Sequence, residues 1–298
     1  MNRSPHKHGS NALAYGCWRM TDGDVGKATR LIHAALDHGI SHIDTADIYG
    51  YGEPIGFGGA EAVLGDVLKD DPGLRGQIVL ATKGGVELPT PYNSHPSYLS
   101  AALDASLARL GVDHVDLYYV HRPDLTVAMA DLGAALDAMV AAGKVLKIGV
   151  SNFSASQARA LQANMKTALS ASQNETSVWQ QSPITDGVLD YAMEIGAQAY
   201  AWSPLAGGAL ATGRFDTGAD TEAVNRVMST IDTLAEHHSA TRTQIALAFL
   251  RGLHASPVSI IGTQTPERIA EAADSLSVIL SSRDIYDVIE ARSGQGMP

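Results

Sequence analysis

Eight short apolar runs, each separated from the next by a stretch with helical spacing, limit the fold of this chain more than any other feature. The runs are Ala12 to Gly16, His42 to Thr45, Ile78 to Lys83, Val115 to His121, Leu146 to Ser151, Ala168 to Gln173, Ala197 to Trp202 and Val258 to Gly262. Helical patterns cover Asp24 to Asp37, Gly59 to Leu68, Pro96 to Leu110, Val127 to Ala141, Ser154 to Ala163, Thr185 to Glu194, Glu222 to Gly252 and Pro266 to Ser275, with Arg283 to Ala291 as a further helix outside the repeat. Capping chemistry marks their ends: Asp24 precedes a first turn, and Gly39, Gly111 and Gly143 follow last turns. The run from Glu222 to Gly252 is too long for one helix and is expected to break near Ser239-Ala240-Thr241, where Thr241 caps a second one. Eight such βα units predict a (β/α)8 TIM barrel, one domain over residues 1–298, in preference to an open doubly wound sheet. A barrel of this kind collects function at the C-terminal ends of its strands. The longer connections, Gly50 to Gly58, Gly84 to His95 and Ser203 to Asp220, all follow strands and would rim that mouth.

Composition removes several alternatives. The 298 residues are 45% hydrophobic and 18% charged, which is ordinary globular material. A net charge of −11 without clustered Lys and Arg argues against a nucleic-acid binder. Cys17 is the one cysteine, so no intrachain disulfide and no cysteine-based zinc site can form. The basic start Met1 to His8 lacks an apolar stretch for a signal peptide, and no run of about 20 apolar residues could cross a membrane. A cytoplasmic protein without membrane partners is expected. His6 and His8 in that segment receive no role, and no metal site is assigned.

Three of the apolar runs end on an ionisable side chain: Asp44, Lys83 and His121, with Tyr49 just beyond the first. On one barrel rim these four make a proton donor for a carbonyl oxygen. Lys83, partly desolvated, keeps its proton beside Asp44, and a protonated lysine beside Tyr49 is expected to draw the phenol below its usual value of about 10. His121 then orients the carbonyl. Each residue also has a plain structural reading, as a turn cap, a packing aromatic, a rim charge or a loop-ordering group, and it is their joint placement that favours chemistry. No Gly-x-Ser-x-Gly elbow is present and Cys17 has no evident base, so hydrolytic triads fit poorly. Proton donation to a carbonyl needs a hydride at carbon, usually from a nicotinamide. Ser151, Asn152 and Gln173 end successive strands and can hold its carboxamide, Trp202 can stack on its ring, and Ser203 to Leu210 with the helix start at Pro266 can receive phosphates. The first strand is not followed by Gly-x-Gly-x-x-Gly, so a Rossmann site is not expected.

From Ala12 to Ala273 the sequence resembles the aldo-keto reductases. His42-Ile43-Asp44-Thr45-Ala46-Asp47-Ile48-Tyr49-Gly50 is similar to the family's first signature, and Gly149-Val150-Ser151-Asn152-Phe153 to its central one. The resemblance implies a monomeric enzyme that reduces a small-molecule carbonyl with NADPH, with Tyr49 as acid, Lys83 and Asp44 tuning it and His121 placing the carbonyl. It implies cofactor contacts from Gly16, Cys17, Trp18, Ser151, Asn152, Gln173, Trp202, Ser203, Pro204, Leu205, Gly207, Gly208 and Leu210. The adenosine end departs from many relatives. Ile261-Gly262-Thr263-Gln264 replaces a Lys-Ser pair and leaves Arg268 for the 2'-phosphate, while Glu271-Ala272 replaces Glu-Asn at the adenine, so NAD is a possible alternative to NADP. The segment Gly52 to Gly59 reads as extended, either a lid or a tolerated loop. Trp18, Tyr92, Tyr119 and Trp179 are candidates for an apolar substrate wall. Two rivals accompany the reductase: a cofactor-binding regulatory subunit on the same scaffold, and a lyase or aldolase forming a Schiff base at Lys83.

Overall fold

A computed structural model describes residues 12–297 of the chain. His6 and His8 lie outside the described residues. The strands are β1 (Leu13–Gly16), β2 (His42–Asp44), β3 (Val79–Gly84), β4 (Val115–Val120), β5 (Val145–Ser151), β6 (Leu169–Glu175), β7 (Gln198–Trp202) and β8 (Val258–Ile261). All are parallel, each pairs with the next in sequence, and β8 pairs back to β1 through Leu13 opposite Ser259, so the sheet closes into a barrel. The expected (β/α)8 TIM barrel is the observed fold. Closure leaves no strand edge unpaired, and each connection between parallel neighbours needs a crossover, which the helices supply.

The helices are α1 (Val25–Asp37), α2 (Gly59–Asp70), α3 (Pro96–Leu110), α4 (Met129–Ala141), α5 (Ala155–Gln162), α6 (Ser182–Thr185), α7 (Val188–Glu194), α8 (Ala209–Thr212), α9 (Thr221–His237), α10 (Arg242–Gly252), α11 (Pro266–Asp274) and α12 (Ser282–Ser293). The Asp24 carboxylate caps α1 by accepting from the Lys27 amide, and Thr241 starts α10 with a reciprocal capping box to Gln244, so the long run divides where its sequence suggests. One expected helix, Thr185 to Glu194, is instead two. Gly187 adopts φ 86° between α6 and α7, a left-handed conformation that no continuous helix contains. Strand β6 runs two residues past Gln173, because Asn174 and Glu175 still pair with Ala201 and Trp202. The segment from Gly50 to Gly59 is not extended. Successive bonds from the Glu53 amide to Gly50 O, Gly56 to Glu53 and Gly59 to Gly56 wind it into compact turns.

The main core lies between strands and helices, with Leu31, Ile32, Leu64, Leu103, Leu136 and Ile148 buried there. The barrel interior is filled by a second set, including Ala81, Leu117, Tyr119 and Ala171. Helices α2 and α3 are in close contact at Gly65, where an added Cβ would stand 2.1 Å from the Arg109 carbonyl oxygen. Backbone cannot yield as a flexible side chain does. Gly65→Ala is therefore expected to destabilise the protein by about 1–3 kcal/mol, whereas Gly26→Ala on the exposed face of α1 gains about 0.5–1 kcal/mol, both read from urea unfolding midpoints.

Candidate active site

Parallel pairing aligns the C-terminal ends of β2, β3 and β4, placing Asp44 beside Ala81 and Lys83 beside Tyr119. Lys83 is completely buried, and its ammonium donates to Asp44 Oδ1 at 2.5 Å, Thr45 O at 2.9 Å and Tyr49 OH at 3.0 Å. An ammonium has three donors, and all are used. Asp44 Oδ2 accepts from Gln173 Nε2 at 3.0 Å, so the opposite charge is also held from across the barrel. Burial alone would lower the Lys83 pKa, but Asp44 and then Tyr49 outweigh it and hold the lysine above its ordinary value.

Tyr49 departs from expectation. Burial raises its phenol, the Lys83 charge pulls it back and Asp44 pushes it up again, and the net position is above the ordinary tyrosine value. Desolvation wins because Asp44 stands beside the lysine and cancels much of its charge. The phenol thus keeps its proton at neutral pH. Its ring meets Trp18 edge-on, with centroids 5.0 Å apart, and Trp18 is 61% exposed at the mouth.

The His121 ring lies 6.0 Å from the Tyr49 ring, close to perpendicular. Burial, then Lys83 and Arg122, hold it well below the ordinary histidine value, so it is neutral. Its Nδ1 is buried without a partner. The His121 backbone is fixed on both sides: its amide donates to Gly84 O at 2.9 Å and its carbonyl accepts from Asn152 Nδ2 at 3.2 Å. Asn152 sits at φ 61°, where asparagine is among the few residues at ease, donates to Ser151 Oγ at 2.8 Å and accepts from Trp202 Nε1 at 2.9 Å. Asp44, Tyr49, Lys83 and His121 are thus brought to one place, braced by the ends of β5 and β7.

The expected cofactor residues divide into groups. Gly16 ends β1 where a Cβ would meet Ile260 Cγ2 at 2.8 Å, and the buried Cys17 thiol is pushed up by burial and then Asp44, so it is unreactive. After β7, Ser203, Ala206, Gly207 and Gly208 all take positive φ, which curls Ser203 to Leu210 over the rim and leaves open space above Gly207 and Gly208. Ser203 Oγ accepts from the Gly207 amide at 3.0 Å, with Pro204 and Leu205 inside the curl and Leu210 buried beneath it. After β8, Thr263 Oγ1 and Gln264 Oε1 are buried without partners, and Arg268 on the first turn of α11 is exposed with no ion pair among the described residues. Two orphaned acceptors, a free guanidinium and a helix N-terminus suit the hydroxyls and phosphates of a nucleotide.

Other placements differ from expectation. Gln173 serves Asp44 instead of standing free. Ile261 and Ala272 are packed into the core and offer only backbone, and Glu271 accepts from Thr241 Oγ1 at 2.7 Å through one of its two carboxylate oxygens. Tyr119 is fully buried inside the barrel, and Trp179 is half-buried and packs against Phe215. Arg19 was missed. Its guanidinium reaches Gly262 O at 3.2 Å and Gly207 O at 3.5 Å, lying across both phosphate-type strips, and its place beside Trp18 just beyond β1 is the signal that would have found it. His237, His238 and Asp284 bring metal-type atoms within 4.8 Å of one another, but Asp284 Oδ2 already accepts from the Ser281 amide at 2.8 Å in the cap of α12. No helix among the described residues is long and apolar enough to cross a membrane.

Comparison with known proteins agrees with this geometry. Residues 12–292 match the Aldo/keto reductase family. A "6-dehydroglucose reductase" from Novosphingobium aromaticivorans is 42% identical over 96% of this chain and 93% of its own length. A second protein of that name, from Agrobacterium fabrum, is 35% identical over 95% of this chain and 94% of its own. Among solved structures, the thermostable aldo-keto reductase Tm1743 in complex with the inhibitor epalrestat superposes with a TM-score of 0.79 at 25% identity, covering 96% of this chain and 98% of that one. A closed barrel with a lysine, aspartate, tyrosine and histidine gathered at its mouth fits this match, and the chain belongs to the aldo/keto reductase family.

Proposed function

We propose that the protein is an NADP-dependent reductase, a cytoplasmic monomer that converts an aldehyde or ketone to an alcohol with Tyr49 as proton donor. One observation carries the reading: a fully buried Lys83 ammonium bonded at once to Asp44 and to the Tyr49 hydroxyl. When bound, a dihydronicotinamide supplies hydride to the carbonyl carbon. Tyr49 then gives its proton to the oxygen as negative charge develops there, and the adjacent Lys83 charge stabilises the phenolate left behind. The raised phenol suits this role, because the proton stays in place until an alkoxide forms to take it. Neutral His121, with no partner at Nδ1, carries its proton on Nε2 and donates from there to the same oxygen.

Ser151 and Asn152 would hold the nicotinamide end, Arg19 and the Ser203 to Leu210 curl the pyrophosphate, and Thr263, Gln264 and Arg268 the adenosine ribose and its 2'-phosphate. A Schiff base at Lys83 fits poorly, since a nucleophilic amine must be neutral and this one is held charged with every donor engaged. The two relatives named 6-dehydroglucose reductase support a hexose oxidised at its terminal carbon as substrate. Trp18 offers an exposed aromatic face for such a sugar.

Tyr49→Phe is expected to bind NADPH as the wild type does while losing about 10²–10⁴-fold in turnover of a hexose 6-aldehyde, measured by nicotinamide fluorescence and absorbance. Lys83→Met strands a buried Asp44 charge and should lower unfolding free energy by about 3–5 kcal/mol in urea, part of which the double variant with Asp44→Asn recovers. Arg268→Ala should weaken NADPH about 10–100-fold and leave NADH unchanged; equal loss for both cofactors would remove Arg268 from the 2'-phosphate.

A further inference from the structure

Asp47 stands three residues after Asp44 and two before Tyr49, and none of the proposed chemistry uses it. It is 1% exposed, and among the described residues no well-formed hydrogen bond reaches either carboxyl oxygen, the Ile48 amide lying near enough only to offset part of a charge. A buried carboxylate without donors is heavily penalised, while a neutral carboxylic acid is tolerated far better. Few nearby groups are free to compensate a charge, the Ile48 amide and the Tyr118 hydroxyl being the two at hand. On α2, Glu61 is fully buried and accepts from Thr82 Oγ1 at 2.5 Å and Arg109 Nε at 2.8 Å. On α3, Arg109 is committed to Glu61 and Ser106, and the Tyr98 hydroxyl donates to Val86 O. On β3, the Lys83 donors are all taken. On β4, the Tyr118 hydroxyl is buried and, like Asp47, has no partner.

Gly84 locates these two orphans. A Cβ there would stand 2.1 Å from Tyr118 OH and 3.4 Å from Asp47 Oδ2, so both flank one glycine on the strand that carries Lys83. Burial first, then the Glu61 charge, push the Asp47 carboxyl up to about 8, with Arg109, the Ile48 amide and Lys83 offsetting only part. The backbone connects this pocket to the tetrad. The Asp47 amide donates to Lys83 O at 3.0 Å, the Thr45 amide to Ala81 O at 2.9 Å and the Tyr49 amide to Ala46 O at 3.2 Å.

We propose that Asp47 is a positioning residue: as a neutral acid it keeps the Asp44 to Tyr49 segment seated on β3, and its ionisation lifts that segment and carries Tyr49 away from Lys83. An ionised Asp47 would face the Glu61 charge with only the Ile48 amide and the Tyr118 hydroxyl at hand, and outward movement into water relieves it further. That movement removes the Asp47 amide from Lys83 O. Tyr49 and Lys83 are held above their ordinary values and His121 well below its own, so none of these three titrates in the interval where Asp47 does.

Unfolded Asp47 ionises near its ordinary 3.8 and the folded one holds its proton to about 8, so its favourable contribution is complete below about pH 4 and declines up to about pH 8. The thermal midpoint of Asp47→Asn should therefore gain on the wild type as pH rises through that window and level off beyond it.

Two further readouts test positioning, and only the second rests on the reductase reading. Trp18 packs on the Tyr49 ring, so its emission should follow a one-proton transition near pH 8 in the wild type, absent from Asp47→Asn and from Trp18→Phe. Reduction of 4-nitrobenzaldehyde by NADPH should fall about tenfold one pH unit above that midpoint in the wild type and stay level in Asp47→Asn, which keeps wild-type turnover near pH 7. A transition that survives in Asp47→Asn, or no transition in Trp18 emission, overturns the proposal. If no aldehyde turns over, the reductase reading fails while the emission titration still decides the role of Asp47. Should Asp47→Asn not fold, infrared spectra of the wild type decide: a protonated-carboxyl C=O band that disappears with the emission change is expected, and its absence near pH 7 overturns the proposal.

Discussion

Everything at the mouth of this barrel depends on one buried charge. An ammonium taken out of water is costly, and Lys83 is held in that state because Asp44, the Thr45 carbonyl and the Tyr49 hydroxyl accept all three of its protons. These partners come from the end of β2 and the turn beyond it, while the lysine comes from β3. Strand register thus determines whether the charge is compensated. Gln173 from β6 secures the remaining Asp44 oxygen across the barrel interior. The closed sheet is therefore part of the electrostatics: opening β2 from β3 would leave both charges unpaired in a dry site.

The same interaction explains the proton inventory of the proposed reaction. Lys83 stays charged because its neighbours outweigh burial, and His121 stays neutral because burial and two nearby cations act in one direction. Tyr49 keeps its phenol proton since burial exceeds the pull of an already compensated lysine. One charged, one neutral and one protonated group is the set a carbonyl oxygen needs as it becomes an alkoxide. The strip proposed for the nucleotide is built differently, from left-handed backbone after β7, orphaned side chains after β8 and Arg19 across both.

The barrel was legible because each strand is a short apolar run and each helix carries its own cap, as Asp24 and Thr241 do. Asp44, Lys83 and His121 were legible as ionisable ends of such runs. What stayed hidden was long-range or a matter of balance. The bond between Gln173 and Asp44 spans 129 residues, and no local pattern announces it. The direction of the Tyr49 shift depends on burial against a charge that is itself paired, which spacing cannot weigh. Glu271 looked free until α10 supplied the Thr241 hydroxyl, and the break at Gly187 was masked by helical residues on both sides. Asp47 was passed over inside the very motif that revealed its neighbours, because partnerless burial is visible only once α2, α3 and β4 are packed around it.

The central claim is that Lys83 holds a proton donor and is not itself a nucleophile. The most direct measurement is to incubate the protein with a hexose 6-aldehyde and NADPH carrying deuterium at the transferable C4 position, then locate the label by mass spectrometry and probe Lys83 with borohydride. The account predicts one deuterium on the former carbonyl carbon of the alcohol and an unmodified lysine. An alcohol without the label, or a borohydride-trapped adduct on Lys83, would contradict it.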